Sequence, residues 1–172
     1  FIDFFILNEL SKNPDGFRLS TFLYKEKGEK LKMGPIWDFN LAFGNVNYCD
    51  GDSPMGWAHR FNDICFDDRW QVPFWWNRFL EDPDFVSKLQ ERWTTLRLDI
   101  LSSETVLRRL QEIKGDLERS NAINKNFGKW LILGKYVWPN DFVGDSYDSE
   151  MNFLEDWITK RFDWLDQSIN AL

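Results

Sequence analysis

Two aspartates in glycine- and proline-marked stretches carry the most distinctive chemistry of this chain. Asp38 lies in Gly34-Pro35-Ile36-Trp37-Asp38-Phe39-Asn40-Leu41-Ala42-Phe43-Gly44-Asn45, between two aromatics and close to an amide. Asp15 lies twenty-three residues upstream, in Asn13-Pro14-Asp15-Gly16. The aromatics beside Asp38 suit a fixed backbone, while Asp38 and Asn40 offer oxygen ligands to a hard cation. Alone, each aspartate reads as a turn former, Asp15 in Pro-Asp-Gly above all. A chemical role therefore depends on the elements that bring the two together.

Residues 1–12 are apolar at nearly every early position and predict a buried helix ending before Asn13-Pro14, because the residue before proline avoids the helical region. Leu19 to Lys25, rich in Thr, Phe and Tyr, predicts a strand. A polar turn at Glu26-Lys27-Gly28-Glu29 and a return strand from Lys30 to Met33 complete a hairpin, with Gly34-Pro35 closing it at an edge. An antiparallel hairpin returns the chain to its starting point, so Asp15 and Asp38 are expected on neighbouring loops. With Asn13 and Asn40 beside them, the pair suits a divalent cation shared with a phosphate.

From Val46 to Val72 the pattern is irregular, and such a long irregular stretch is usually functional or flexible. Helices are then predicted over Pro73 to Leu80, over Pro83 to Ile100, from Ser102 or Ser103 toward Trp130, and over about Ser149 to Ile169. Lys135 to Asp148 is again irregular. The fold class is α+β, mainly α: a helical domain resembling the larger lobe of a kinase, with a small antiparallel β-hairpin, residues 1–172 forming one domain.

A helix, a loop with an aspartate, a small hairpin and a second aspartate before Phe is also the order of parts in the larger lobe of protein kinases. Asn40 departs from the Asp-Phe-Gly pattern and no His-Arg precedes Asp15, which points away from an ordinary eukaryotic-type kinase. Asn8-Glu9-Leu10 with Asn13 to Gly16, Ser20-Thr21-Phe22-Leu23-Tyr24-Lys25 and Gly34 to Asn45 resemble the spore coat protein H (CotH) family of atypical, secreted or spore-surface protein kinases. Trp157-Ile158, Arg161 and Trp164-Leu165-Asp166 fit the end of that domain. The likeness spans essentially the whole chain but only the later part of a family domain.

The resemblance implies that Asp15 is the catalytic aspartate and Asp38 the magnesium-binding one, with ATP as phosphoryl donor and a protein Ser/Thr hydroxyl as acceptor. It also implies an extracytoplasmic, secreted or surface location. Asn13 and Asn40 are assigned cofactor-binding roles from their chemistry alone. No Gly-x-Gly-x-x-Gly occurs in the chain. The apolar start at Phe1 reads as a helix entered partway. The expectation is thus a fragment lacking the upstream ATP-holding lobe and inactive alone, since phosphoryl transfer works by positioning and charge neutralisation.

Composition narrows the alternatives. A net charge of −7 disfavours duplex nucleic acid as a partner. No apolar run approaches the ~20 residues of a membrane span. Cys49 and Cys65 with His59 between them are one ligand short of a zinc site and wrongly spaced. They leave a disulfide and two free thiols both open, and a disulfide would imply an extracytoplasmic compartment. His59 reads as a loop residue without a role. Ten Trp and sixteen Phe indicate either a core of large rings or an aromatic platform for sugars. Trp75, Trp93 and Trp157 fall on helical faces, which favours the core. A non-catalytic kinase-like scaffold and a carbohydrate-binding surface remain the alternatives to the enzyme.

Overall fold

A computed structural model describes residues 1–172. Helix α1 (Ile2–Ser11) runs through the centre and packs on α4 (Pro83–Arg97) and α7 (Tyr147–Asn170). It stops at Lys12, whose left-handed backbone (φ 45°) turns the chain out of the helix just ahead of Pro14. The core between these helices is aromatic: Phe4 stacks on Trp76 with ring centroids 5.8 Å apart, and Phe17 meets the same indole edge-on at 4.9 Å. Phe17 is two residues from Asp15, so core packing anchors the Asp15 loop directly. Trp93 and Trp157 are buried and Trp75 half-buried, as their helical spacing predicts.

The hairpin is present but shorter than its sequence suggests. Strands β1 (Leu23–Tyr24) and β2 (Lys32–Met33) pair antiparallel, Leu23 opposite Met33 and Tyr24 opposite Lys32. The remaining residues of the predicted strands are not in the ladder, because no second layer covers the hairpin and Phe22, Leu23, Tyr24 and Leu31 stay exposed. Strand propensity without a surface to pack against does not extend pairing.

The predicted helices form with adjusted ends. Helix α3 (Trp75–Leu80) begins after Pro73. Asp82 caps α4 by accepting from the Asp84 N–H, with Pro83 in the first turn, and the helix ends at Arg97 rather than Ile100. Ser102 caps α5 (Ser103–Arg119) through the Thr105 N–H. The expected continuation toward Trp130 is interrupted: Asn121 takes a left-handed conformation (φ 56°) and a separate α6 (Ala122–Lys129) follows. Ser146 caps α7 through the Ser149 N–H, starting it two residues earlier than predicted. The irregular stretch between 46 and 72 contains one 3-10 turn (Ala58–Arg60) leading into α2 (Phe61–Ile64). No helix is long and apolar enough to cross a membrane.

Candidate active site

The loop after α1 and the loop after β2 meet through two short side chains. Ser20 donates its N–H to the Asp15 carbonyl at 2.8 Å and its hydroxyl to Asp38 Oδ2 at 3.0 Å. Asn13 accepts from the Asp15 N–H at 3.2 Å through Oδ1 and donates through Nδ2 to the Asp38 carbonyl at 3.2 Å. The aspartates are thus cross-braced twice, by an amide on one side and a hydroxyl on the other. Asp38 itself sits at φ 66°, a left-handed conformation that short polar residues tolerate best, and both braces hold it there.

Two glycines allow this approach of segments. A Cβ on Gly16 would collide with the Asn8 side chain, which lies under the Asp15 turn. A Cβ on Gly44 would sit 2.6 Å from Trp157 Nε1, so only glycine lets the Asp38 loop pass so close to α7.

The four residues singled out in the sequence have different surroundings. Asp38 is exposed, with Oδ2 accepting from Ser20. Asp15 is half-buried, its Oδ1 held by Arg18 Nη2 at 2.8 Å. Burial raises the Asp15 carboxyl above its ordinary value; the Arg18 charge and hydrogen bond oppose this, and the negative charges of Asp38 and Asp68 reinforce it. Asn13 is buried and faces inward, where it acts as a brace. Asn40 is exposed, and its carbonyl accepts from Asn45 Nδ2 at 2.8 Å.

Residues that the sequence did not flag complete the site. Ser20 lies inside a quoted motif, yet nothing local marks it as the bridge. Tyr48 is close enough that its phenol is pushed up, first by burial and then by the Asp15 charge. His59, read as a bystander, is buried and bonded through Nδ1 to Glu9 Oε1 at 2.7 Å. Glu9 also accepts from the backbone N–H groups of Ala58 and His59, each at 2.9 Å, and from Arg161 Nη2 at 3.1 Å. Lys12 donates to the carbonyls of Asp50, Ser53 and Met55 at 2.5, 2.9 and 2.5 Å. Arg161 takes those of Pro54 and Gly56 at 2.8 and 2.7 Å. The Cys49–Cys65 disulfide, with Cα atoms 5.7 Å apart, closes the same segment.

The family profile described as CotH kinase protein matches residues 1–165 of this chain. The chain belongs to the CotH kinase family. Membership gives this CotH chain a kinase-like function and, at that level, a nucleotide and a protein substrate. No curated protein and no solved structure matches it.

No group of three or more His, Cys, Asp or Glu side chains is arranged so that it could hold a metal ion. The donor set at the braced loops still fits magnesium, which binds through one or two carboxylates, keeps several waters and takes its remaining ligands from substrate phosphates. The Asp38 carboxylate and Ser20 hydroxyl are hard oxygen donors of that kind, and Asp38 is open to solvent.

Proposed function

We propose that this CotH-family chain carries the acceptor and metal side of a phosphoryl-transfer site that moves the terminal phosphoryl of ATP to a protein Ser or Thr hydroxyl. The observation that supports it is the double brace, which holds Asp15 and Asp38 on adjoining loops in different environments. Asp38, with Ser20 behind it, would hold magnesium; bound there, the ion supplies charge neutralisation for the phosphates. Asp15 orients the acceptor hydroxyl and takes its proton as the oxygen forms its bond to the γ-phosphorus. The bond to the bridging oxygen breaks and ADP departs. Burial of Asp15 makes it a stronger base than an exposed carboxylate. Arg18 occupies Oδ1, and Oδ2 makes no hydrogen bond within the protein.

Residues 1–172 contain no Gly-x-Gly-x-x-Gly phosphate loop, and no residue among them is assigned to anchor the ATP phosphates apart from the magnesium side at Asp38. The Cys49–Cys65 disulfide supports an extracytoplasmic location. The full-length gene product is assayed with labelled ATP, magnesium and dephosphorylated casein. Asp38→Ala is expected to remove magnesium-dependent nucleotide binding and to lower transfer by at least about 100-fold, a usual scale for losing electrostatic stabilisation of a transition state. Nucleotide binding that is absent in the wild type, or unchanged in Asp38→Ala, would leave the kinase-like scaffold as the better reading.

A further inference from the structure

Arg18 is the most heavily engaged side chain near Asp15, and the reaction as described gives it no task. Its guanidinium uses all three nitrogens. Nε donates to the Pro14 carbonyl at 2.9 Å and Nη2 to Asp15 Oδ1 at 2.8 Å. Nη1 donates to Asp68 Oδ1 at 3.0 Å and to the Trp70 carbonyl at 2.8 Å. The plane lies over the Phe61 ring, 3.9 Å from its centroid. The side chain is only 4% exposed, whereas Asp68 is 31% exposed. A planar fork of this kind fixes orientation in a way a lysine ammonium cannot.

The contacts of Arg18 divide between two separate pieces of chain. One is the Asp15 turn. The other is residues 65–72, some fifty positions later. That segment is tied at one end by the Cys49–Cys65 disulfide and at the other by Asn62, which accepts from the Val72 N–H at 2.7 Å and donates to its carbonyl at 2.9 Å. Between these ties, Asp68 and Trp70 are held through Arg18, and Gln71 donates to the carbonyls of Cys65 and Asp68. Arg18 therefore sets the position of a surface segment relative to the carboxylate that would receive the acceptor hydroxyl.

We propose that Arg18 is a positioning residue that registers residues 65–72 against Asp15, making that segment the acceptor-side wall of the site. This rests on the phosphoryl-transfer reading given above. Arg18 acts through its neighbours: it fixes the rotation of the Asp15 carboxylate and the distance of the wall from it. Its loss mispositions the acceptor while leaving the Asp38 side, where nucleotide would sit, unchanged.

The test uses the full-length gene product with ATP, magnesium and dephosphorylated casein, and separates KM for casein, KM for ATP and kcat. In Arg18→Gln, kcat/KM for casein is expected to fall about 100-fold, the scale of a reacting group displaced by an ångström, with KM for ATP unchanged. Arg18→Lys keeps the charge beside Asp15 but lacks the fork, and recovers only part of the loss. Asp68→Asn, at a partly exposed side chain that leaves the core untouched, raises KM for casein with little change in kcat. The double variant Arg18→Gln/Asp68→Asn is no worse in casein KM than Arg18→Gln alone, because both cut the same link. Unchanged casein KM in Arg18→Gln and Asp68→Asn, or a proportional rise in both KM values, overturns the proposal. If the wild type transfers no phosphoryl group, the reaction reading fails, and hydrogen exchange decides the Arg18 link. Faster exchange across residues 65–72 in both variants upholds the registration; unchanged exchange overturns it.

Discussion

The segment before Asp38 and the segment after it solve the problem of holding a loop in opposite ways. Before Asp38 the chain forms a hairpin with regular pairing, Leu23 against Met33 and Tyr24 against Lys32; the first strand lies in solvent, and the return strand is half-buried with Met33 against the core. After Asp38 it runs without regular structure to Ala58, yet the carbonyls of Asp50, Asp52, Ser53, Pro54, Met55 and Gly56 all accept from side chains of α7 or the end of α1. Lys12, Trp157 and Arg161 supply those donors. Glu9 then captures the N–H groups of Ala58 and His59. Backbone groups that leave water must find partners, and here long polar side chains provide them in place of a neighbouring strand. Regular backbone geometry is thus no measure of how firmly a segment is fastened.

That contrast is most exposed to test at Arg161, which is fully buried with Glu9. Arg161→Met removes the donor to two loop carbonyls and leaves the Glu9 carboxylate without the guanidinium paired with it. Removing one partner of a buried pair typically costs roughly 3–5 kcal/mol. For a chain of this size that lowers Tm by roughly 6–20 °C, read by circular dichroism. A shift within about two degrees would mean that the loop is fastened by something other than these charges.

Acid sharpens the same point. Burial alone would raise the Glu9 carboxyl, but the His59 hydrogen bond and the charges of His59 and Arg161 outweigh it and hold it below its ordinary 4.5. The folded value is thus below the unfolded one. The stability that ionised Glu9 contributes is complete above about pH 4.5 and is lost as pH falls through the folded value. Hydrogen exchange at Ala58 and His59 is expected to stay slow from pH 7 to 5, once corrected for intrinsic rates. As pH falls below 4.5 and through the folded value, these amides should lose protection ahead of those in α4. Loss in the reverse order would place the acid-sensitive group elsewhere.

What was legible in the sequence follows the same division. Ser102 caps α5 within three residues of itself, and the stripe of Trp157, Ile158, Leu165 and Ile169 repeats along one helix face, whereas the caps Asp82 and Ser146 went unread and α7 starts ahead of its expected Ser149. The neighbourhood of Asp15 and Asp38 was legible because a hairpin is a local device for returning a chain. Strand length was not, since it depends on a covering layer that the hairpin lacks. Glu9, His59 and Arg161 meet across separations of 50 and 152 residues, and no local pattern marks such partners. His59 therefore looked idle, and residues 50–56 looked unheld. Arg18 was illegible for the same reason, because its partners Asp68 and Trp70 are brought to it by a disulfide and α2.

The smallest effect is expected on the hairpin side, and it completes the comparison. Trp37 is 47% exposed and Phe22 53% exposed, their ring centroids 5.7 Å apart and tilted by 39°. An aromatic pair of this kind contributes roughly 0.5–1.5 kcal/mol beyond area burial, and with both rings half in water the lower end applies. Trp37→Ala should therefore lower Tm by no more than a few degrees, well short of Arg161→Met, although it deletes the larger side chain beside Asp38. The Ser20 and Asn13 braces reach Asp38 without passing through Trp37, so its left-handed backbone should survive the change. Chemical-shift comparison of Ser20 and Asn13 in the variant reads this directly. A loss of stability as large as that of Arg161→Met would show the hairpin to be as firmly built into the domain as the loop.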